Sequence, residues 1–158
     1  MDFGLTPELS ALRERARRYA QDLLQPLEEQ FERDHGVLDP AIADDLRRAA
    51  IKANLHAGSL PASVGGQGWS VLGQVIVHEQ LGQVTGGLWS YIPGAYNVLL
   101  HCDPAQRARY LDPSIRGERN GSYAITERDA GSDARTMAAT AVRDAATDLT
   151  GIAVTGFE

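Results

Sequence analysis

The chain has 158 residues, 43% hydrophobic and 23% charged, an ordinary globular composition long enough for one domain with a core, or one domain and part of another. Its net charge of −6 comes from interspersed acids and bases without a basic stripe, which argues against nucleic acid as a partner but leaves room for a local phosphate site. No apolar run approaches the roughly 20 residues of a membrane helix, the N-terminus lacks a signal pattern and Cys102 stands alone, so a soluble cytoplasmic protein with no membrane span is expected.

Thr6-Pro7 predicts a helix start, with a hydroxyl at the N-cap and proline at the first helical position. Leu9, Leu12, Ala16, Tyr19, Leu23 and Leu24 recur at spacings of three and four and predict one buried stripe. Pro26 falls inside the pattern and predicts a kink or break. A turn at His35-Gly36 leads to a second helix, capped by Asp39 and opened by Pro40, with Ile42, Leu46, Ala49 and Ala50 inward. The stretch "LPASVGGQGWS", residues 60–70, is loop by composition. A third helix over about 71–84 carries Leu72, Val75, Ile76 and Leu81 inward. An apolar segment over 88–100 is interrupted by Pro93-Gly94, and Asp103-Pro104 starts a short helix to Leu111.

After Gly117 the pattern changes, and residues 122–126, 136–142 and 149–154 favour strand. The expected fold is mainly α: a helical domain over residues 1–117, then a partial β domain over 118–158. Three short strands cannot close a barrel, and their open edges imply completion by a further segment or another chain.

The glycine cluster Gly65-Gly66-Gln67-Gly68 follows no strand and lacks the P-loop pattern, so a tight connector is the better reading. The four histidines show no metal-ligand pairing, and His101-Cys102-Asp103 are consecutive, which rarely points three side chains at one ion. No nucleophile elbow is present, and Cys102 reads as a small buried hydrophobe. The stretch "YAITERDAGSD", residues 123–133, is different. A strand end breaks into a turn that offers consecutive amides, the Thr126 and Ser132 hydroxyls and the Tyr123 ring. Such a set suits an electron-rich ring edge or an oxyanion. The alternative is a hairpin in which Asp129 and Asp133 make Asx-turns.

These motifs resemble the acyl-CoA dehydrogenase family of flavoproteins. "YAITERDAGSD" is similar to the family's flavin-binding stretch, "LPASVGGQGWS" to its L-P-x-x-x-G-G-x-G loop, and "VIVHEQLGQV" to the helix that follows. "DPAQRARYLDPSIRGE" resembles its short helix before the β domain, and "MAATAVRD" its next strand. The resemblance runs in family order over nearly the whole chain. It implies a helical N-terminal domain, the first strands of an incomplete β-barrel-like middle domain, and a C-terminal helical domain that is absent here. It implies FAD as cofactor and an acyl-CoA thioester as substrate, whose α-proton goes to a glutamate and whose β-hydrogen leaves as hydride. By position, Tyr123, Ile125 and Thr126 would lie along the flavin, Gly131 and Ser132 would close the motif, and Ser132 would also meet the CoA thioester arm.

The sequence departs from the family at three places. Arg128 stands where proline is usual, so a looser turn with an added positive charge is expected. Residues 88–102 are about one helical turn short, with Trp89, Tyr91 and Tyr96 as candidates to shape an acyl pocket or to pack in the core. The W-I-T flavin segment and the domain bearing the catalytic glutamate are missing, so no catalytic residue is assigned in this chain. The resemblance further implies a homo-oligomer or complementary subunit, and an electron-transfer flavoprotein as partner. An acyl-CoA oxidase or flavin monooxygenase on the same scaffold, or a non-catalytic helical partner subunit, are the other readings.

Overall fold

A computed structural model describes residues 4–121, 125–143 and 150–153. The chain divides into two compact units, Met1–Gly121 and Ser122–Glu158.

The first unit is helical. Helix α1, Pro7–Tyr19, starts where Thr6 Oγ1 accepts the Leu9 N–H at 3.3 Å. Leu12, Ala16 and Tyr19 are buried along it, as the stripe predicts. Pro26 has no N–H, and its ring crowds the carbonyl four residues back. The chain widens there into a π turn, Ala20–Leu24, in which the Gln25 N–H reaches Ala20 O, followed by a 3-10 turn, Gln25–Leu27. The wider turn rotates the register. Ala20 and Leu24 are buried while Leu23, expected inside, is 39% exposed.

Helix α2, Glu28–Arg33, ends as His35 and Gly36 take positive φ, with the Gly36 N–H bonded to Phe31 O at 2.8 Å. Helix α3, Pro40–Lys52, is capped by Asp39, whose Oδ1 accepts the Ala41 N–H at 2.8 Å. Ala43, Leu46 and Ala50 are buried along α3, and Ile42 and Ala49 are half-buried. The buried Tyr19 hydroxyl donates to Leu46 O at 3.0 Å and ties α1 to α3.

Helix α4, Val71–Leu81, is capped by Ser70 Oγ and packs on α1. Gly73, Ile76, Val77, Gln80 and Leu81 face inward, while Leu72 and Val75, expected inside, are 51% and 58% exposed. The physical reason is that α4 is apolar around most of its circumference, so period alone selects no face. Gly73 favours it: a Cβ there would meet Trp69 Cβ at 3.2 Å and Leu12 Cδ2 of α1 at 3.4 Å, so a larger side chain would be crowded on this face. Residues 88–101 form two 3-10 turns, Leu88–Tyr91 and Asn97–His101.

Helix α5, Pro104–Gln106, opens with a capping box, Asp103 Oδ1 accepting from Gln106 N and Gln106 Oε1 from Asp103 N. A π turn, Arg107–Leu111, leads into α6, Asp112–Ile115. Leu111 and Ile115 pack with Ala57 and Leu60 as a second small core beside the main one. Leu24, Leu55, Leu60, Leu88 and Leu111 are fully buried, each worth about 1.5–3 kcal/mol of apolar burial.

In the second unit, β1, Thr140–Arg143, pairs antiparallel with β2, Thr150–Ala153, in the register Thr140 to Ala153. The strand expected at 122–126 is not present at Ile125 and Thr126, and residues 122–124 lie outside the described residues. The strand expected from residue 136 begins at Thr140, because Asp133 draws residues 134–136 into a 3-10 turn.

Candidate functional site

The recognised stretch is a closed turn. Glu127 and Ala130 form an isolated antiparallel bridge, with the Glu127 N–H on Ala130 O at 2.8 Å and the Ala130 N–H on Glu127 O at 3.3 Å. Arg128 and Asp129 are its exposed central residues. The looser turn expected from Arg128 is not observed, because both bridge bonds are made without proline. Ala130 is 2% exposed and anchors the turn from below.

Asp133 then makes the Asx-turn that the hairpin reading predicts. Its Oδ1 accepts the Arg135 N–H at 3.2 Å and the Arg135 Nε at 2.9 Å, and its carbonyl accepts the Thr136 N–H and hydroxyl. The Arg135 guanidinium and backbone N–H together hold the exposed Asp133 carboxyl below its ordinary pKa.

Sequence reasoning gave no role to Glu127, and the structure gives it one. Its two carboxylate oxygens accept the Ala138 N–H at 2.7 Å and the Ala139 N–H at 2.9 Å, pinning the chain beyond the motif to its turn. A contact eleven and twelve residues away leaves no periodic signal in the sequence.

Ile125, Thr126, Gly131 and Ser132 all lie exposed on this turn. Among the described residues their N–H groups and the two hydroxyls have no hydrogen-bond partner. Tyr123 lies outside the described residues. A Cβ added at Gly131 would meet nothing within 4 Å, so the space over the turn is open. The hairpin and the cradle are therefore compatible: Asp133 and Glu127 hold the turn, and its exposed residues carry amides and hydroxyls with no partner among the described residues. That donor set fits a ring edge bearing carbonyl and ring-nitrogen acceptors, such as the pyrimidine part of a flavin.

The glycine loop offers no such donors. The N–H groups of Gly65, Gly66, Gln67 and Gly68 go to Ala62 O, Pro61 O, Ala57 O and Leu60 O. A Cβ at Gly66 would sit 2.2 Å from Leu60 O, so the loop is a close-packed connector with no amide free for a phosphate.

The three aromatics of residues 88–102 divide. Tyr91 is half-buried against the main core, edge-on to Phe31 with ring centroids 6.3 Å apart, and its hydroxyl accepts the Leu38 N–H at 3.2 Å. Trp89 and Tyr96 line an open cleft of about 290 Å³ with Ser90, Ile92 and Asn120. The Trp89 ring lies edge-on to His78 at 5.9 Å, and Tyr96 Oη donates to Gly121 O at 3.5 Å. His56 was not singled out by its sequence. Its Nδ1 is buried without a hydrogen bond among the described residues, and burial lowers its pKa. No group of three His, Cys, Asp or Glu side chains among the described residues is placed to hold a metal ion. No helix among them is long and apolar enough to cross a membrane.

Comparison with known proteins gives a consistent picture. The family model described as acyl-CoA dehydrogenase, N-terminal domain, matches residues 6–118. The chain is 31% identical to (R)-benzylsuccinyl-CoA dehydrogenase of Thauera aromatica, over 91% of this chain and 39% of that protein. It is 30% identical to the acryloyl-CoA reductase (NADH) of Anaerotignum propionicum, over 94% of this chain and 37% of that protein. Among solved structures it superposes on the FAD complex of PigA with a TM-score of 0.71 and 28% identity, over 89% of this chain and 37% of that one. The chain thus spans less than two fifths of the length of the relatives it matches.

Proposed function

Since the chain belongs to the acyl-CoA dehydrogenase family, we propose that it is the N-terminal portion of an FAD-dependent enzyme that acts on the α and β carbons of an acyl-CoA thioester. Residues 1–117 are the helical domain in this reading, and residues 118–158 begin the middle β domain. The observation that carries it is the turn at 125–133, whose Thr126 and Ser132 hydroxyls and neighbouring amides have no partner among the described residues while Glu127 holds the turn from behind.

The chain's own residues bind and orient. The Ile125 and Thr126 amides and the Thr126 hydroxyl would hold the pyrimidine edge of the flavin, and Tyr123, outside the described residues, would lie along the ring as the family resemblance implies. Gly131 leaves open space over the turn, and Ser132 would donate to the flavin and to the thioester arm of the substrate. Donors fixed there before reaction favour negative charge as it develops. FAD, when bound, supplies the acceptor for the hydride leaving the β carbon. Glu127 is not the base, since both its oxygens hold backbone N–H groups. The base comes from outside these residues. Trp89 and Tyr96 line an open cleft and are available to shape an acyl pocket. Further copies or a complementary subunit, an electron-transfer flavoprotein and a cytoplasmic setting complete the proposal.

The test is a titration of the purified chain with FAD, followed by the flavin visible band. Saturable uptake that weakens about tenfold in Thr126→Ala and again in Ser132→Ala is expected, at one charge-assisted or well-aligned donor each. Uptake equal in wild type and both variants removes the cradle from this turn.

A further inference from the structure

The open cleft beside the 3-10 turn Leu88–Tyr91 holds about 290 Å³, close to the roughly 300 Å³ at which small-ligand sites begin. Its apolar walls are Trp89, Ile92, Ala95 and Tyr96, and among the described residues no charged side chain lines it. Both large rings are open to solvent, Trp89 at 43% and Tyr96 at 40% exposure, although aromatic side chains are those a fold gains most by burying. Exposed apolar surface gathered in a concavity marks a place for a ligand.

Neither ring is loose. The Trp89 ring is edge-on to His78, with centroids 5.9 Å apart and planes at 89°. The Tyr96 ring lies against the Gly121 backbone: a Cβ at Gly121 would come 2.7 Å from Tyr96 Cε2 and 3.2 Å from Cδ2. The Tyr96 hydroxyl also donates to Gly121 O at 3.5 Å. A Cβ at Gly94 would meet nothing within 4 Å, so that part of the wall is open. Rings held before binding lose little rotamer freedom when a ligand arrives.

A second cleft of about 160 Å³ adjoins the first and shares Trp89, Ile92, Gly94 and Ala95 with it as a common wall. An extended chain has to pass the Trp89 ring to go further, whereas a short, flat group does not. Aromatic pairs in offset or edge-to-face geometry are worth more than their buried area alone. That gain is open to a planar aryl group and closed to a straight chain.

We propose that this cleft receives an aromatic acyl group, and that Trp89 and Tyr96 set the preference for a ring over a straight chain. The inference rests on the acyl-CoA reading above and deepens it by naming the acyl class.

The test is NMR titration of the isotope-labelled full chain, without FAD, with phenylpropionyl-pantetheine and with nonanoyl-pantetheine, a straight-chain thioester of equal acyl carbon number. Phenylpropionyl binding should be about fivefold tighter. It should move the indole N–H resonance of Trp89 and leave that of Trp69, which lines only the adjoining cleft. Trp89→Leu and Tyr96→Leu should each lower phenylpropionyl affinity about threefold and leave nonanoyl affinity unchanged. Both side chains are exposed, and an unchanged circular dichroism spectrum will show that the variants fold. Tyr110→Leu, which removes an exposed ring outside the cleft, should leave both affinities unchanged. Equal or tighter nonanoyl binding to the native chain overturns the proposal, as does no saturable binding of either thioester. Movement of Trp69 in place of Trp89, or equal weakening by Tyr110→Leu, also overturns it. FAD uptake followed in parallel samples separates the two readings. Aryl preference without FAD uptake overturns the flavin cradle alone, and FAD uptake without aryl preference overturns this proposal alone.

Discussion

Replacing Glu127 by glutamine tests how the 125–133 turn is held. In the native chain each carboxylate oxygen accepts one backbone N–H, from Ala138 at 2.7 Å and from Ala139 at 2.9 Å. Glutamine keeps one acceptor oxygen and puts an NH2 opposite the other N–H, so one bond is lost and the charge behind the second disappears. Hydrogen bonds to a charged partner contribute about 1.5–3 kcal/mol. Glu127 is half-buried and water competes for it, so the low end, about 1.5 kcal/mol, applies. That is roughly a tenfold rise in the population opened at this point. Amide hydrogen exchange read by NMR resolves it: Ala138 and Ala139 should exchange about tenfold faster in Glu127→Gln, while α1 and α3 amides keep their protection. Unchanged exchange at Ala138 and Ala139 in a folded variant would refute the role given to Glu127.

Other consequences concern the helical unit. Gly66→Ala places a Cβ 2.2 Å from Leu60 O and 2.5 Å from Leu60 C, backbone atoms that cannot swing aside. A loss of about 3 kcal/mol is expected, which for a chain of this size lowers Tm by roughly 6–12 °C in a thermal melt. Tyr19→Phe leaves the buried Leu46 carbonyl without its 3.0 Å donor and should cost about 1–2 kcal/mol in urea unfolding. Burial also pushes the Tyr19 hydroxyl pKa well above its ordinary 10.0. The unfolded chain therefore loses this proton first, so the contribution is whole below pH 10 and falls by about 1.4 kcal/mol per pH unit above it. Tyr19→Phe should flatten that part of the pH–stability curve, and an equally steep curve would count against the burial argument. Asp103→Ala removes the side-chain acceptor of the Gln106 N–H, one arm of the capping box, and should cost about 1 kcal/mol.

Start signals and punctuation in the sequence carried the helical unit well. Thr6-Pro7, Asp39-Pro40 and Asp103-Pro104 each open a helix because the cap and the fixed proline φ act within four residues. Pro26 announced a break, but not that a π turn would absorb it and turn Leu23 outward. On α4 the apolar pattern was too broad to choose a face, and the deciding feature was the close approach at Gly73. In the candidate site the turn residues were visible as a motif. The Asx-turn at Asp133 is local and was readable from residue type. The Glu127 staple spans eleven and twelve residues and depends on where the chain returns, which no local pattern encodes.

The central claim is that the turn at 125–133 meets the flavin. Amide chemical shifts of the chain on titration with FAD address it most directly. The account predicts that the Ile125, Thr126, Gly131 and Ser132 resonances move together along one saturation curve, while those of the Gly65–Gly68 loop, whose N–H groups are already bonded, stay in place. Flavin binding that saturates without moving those four resonances would contradict it.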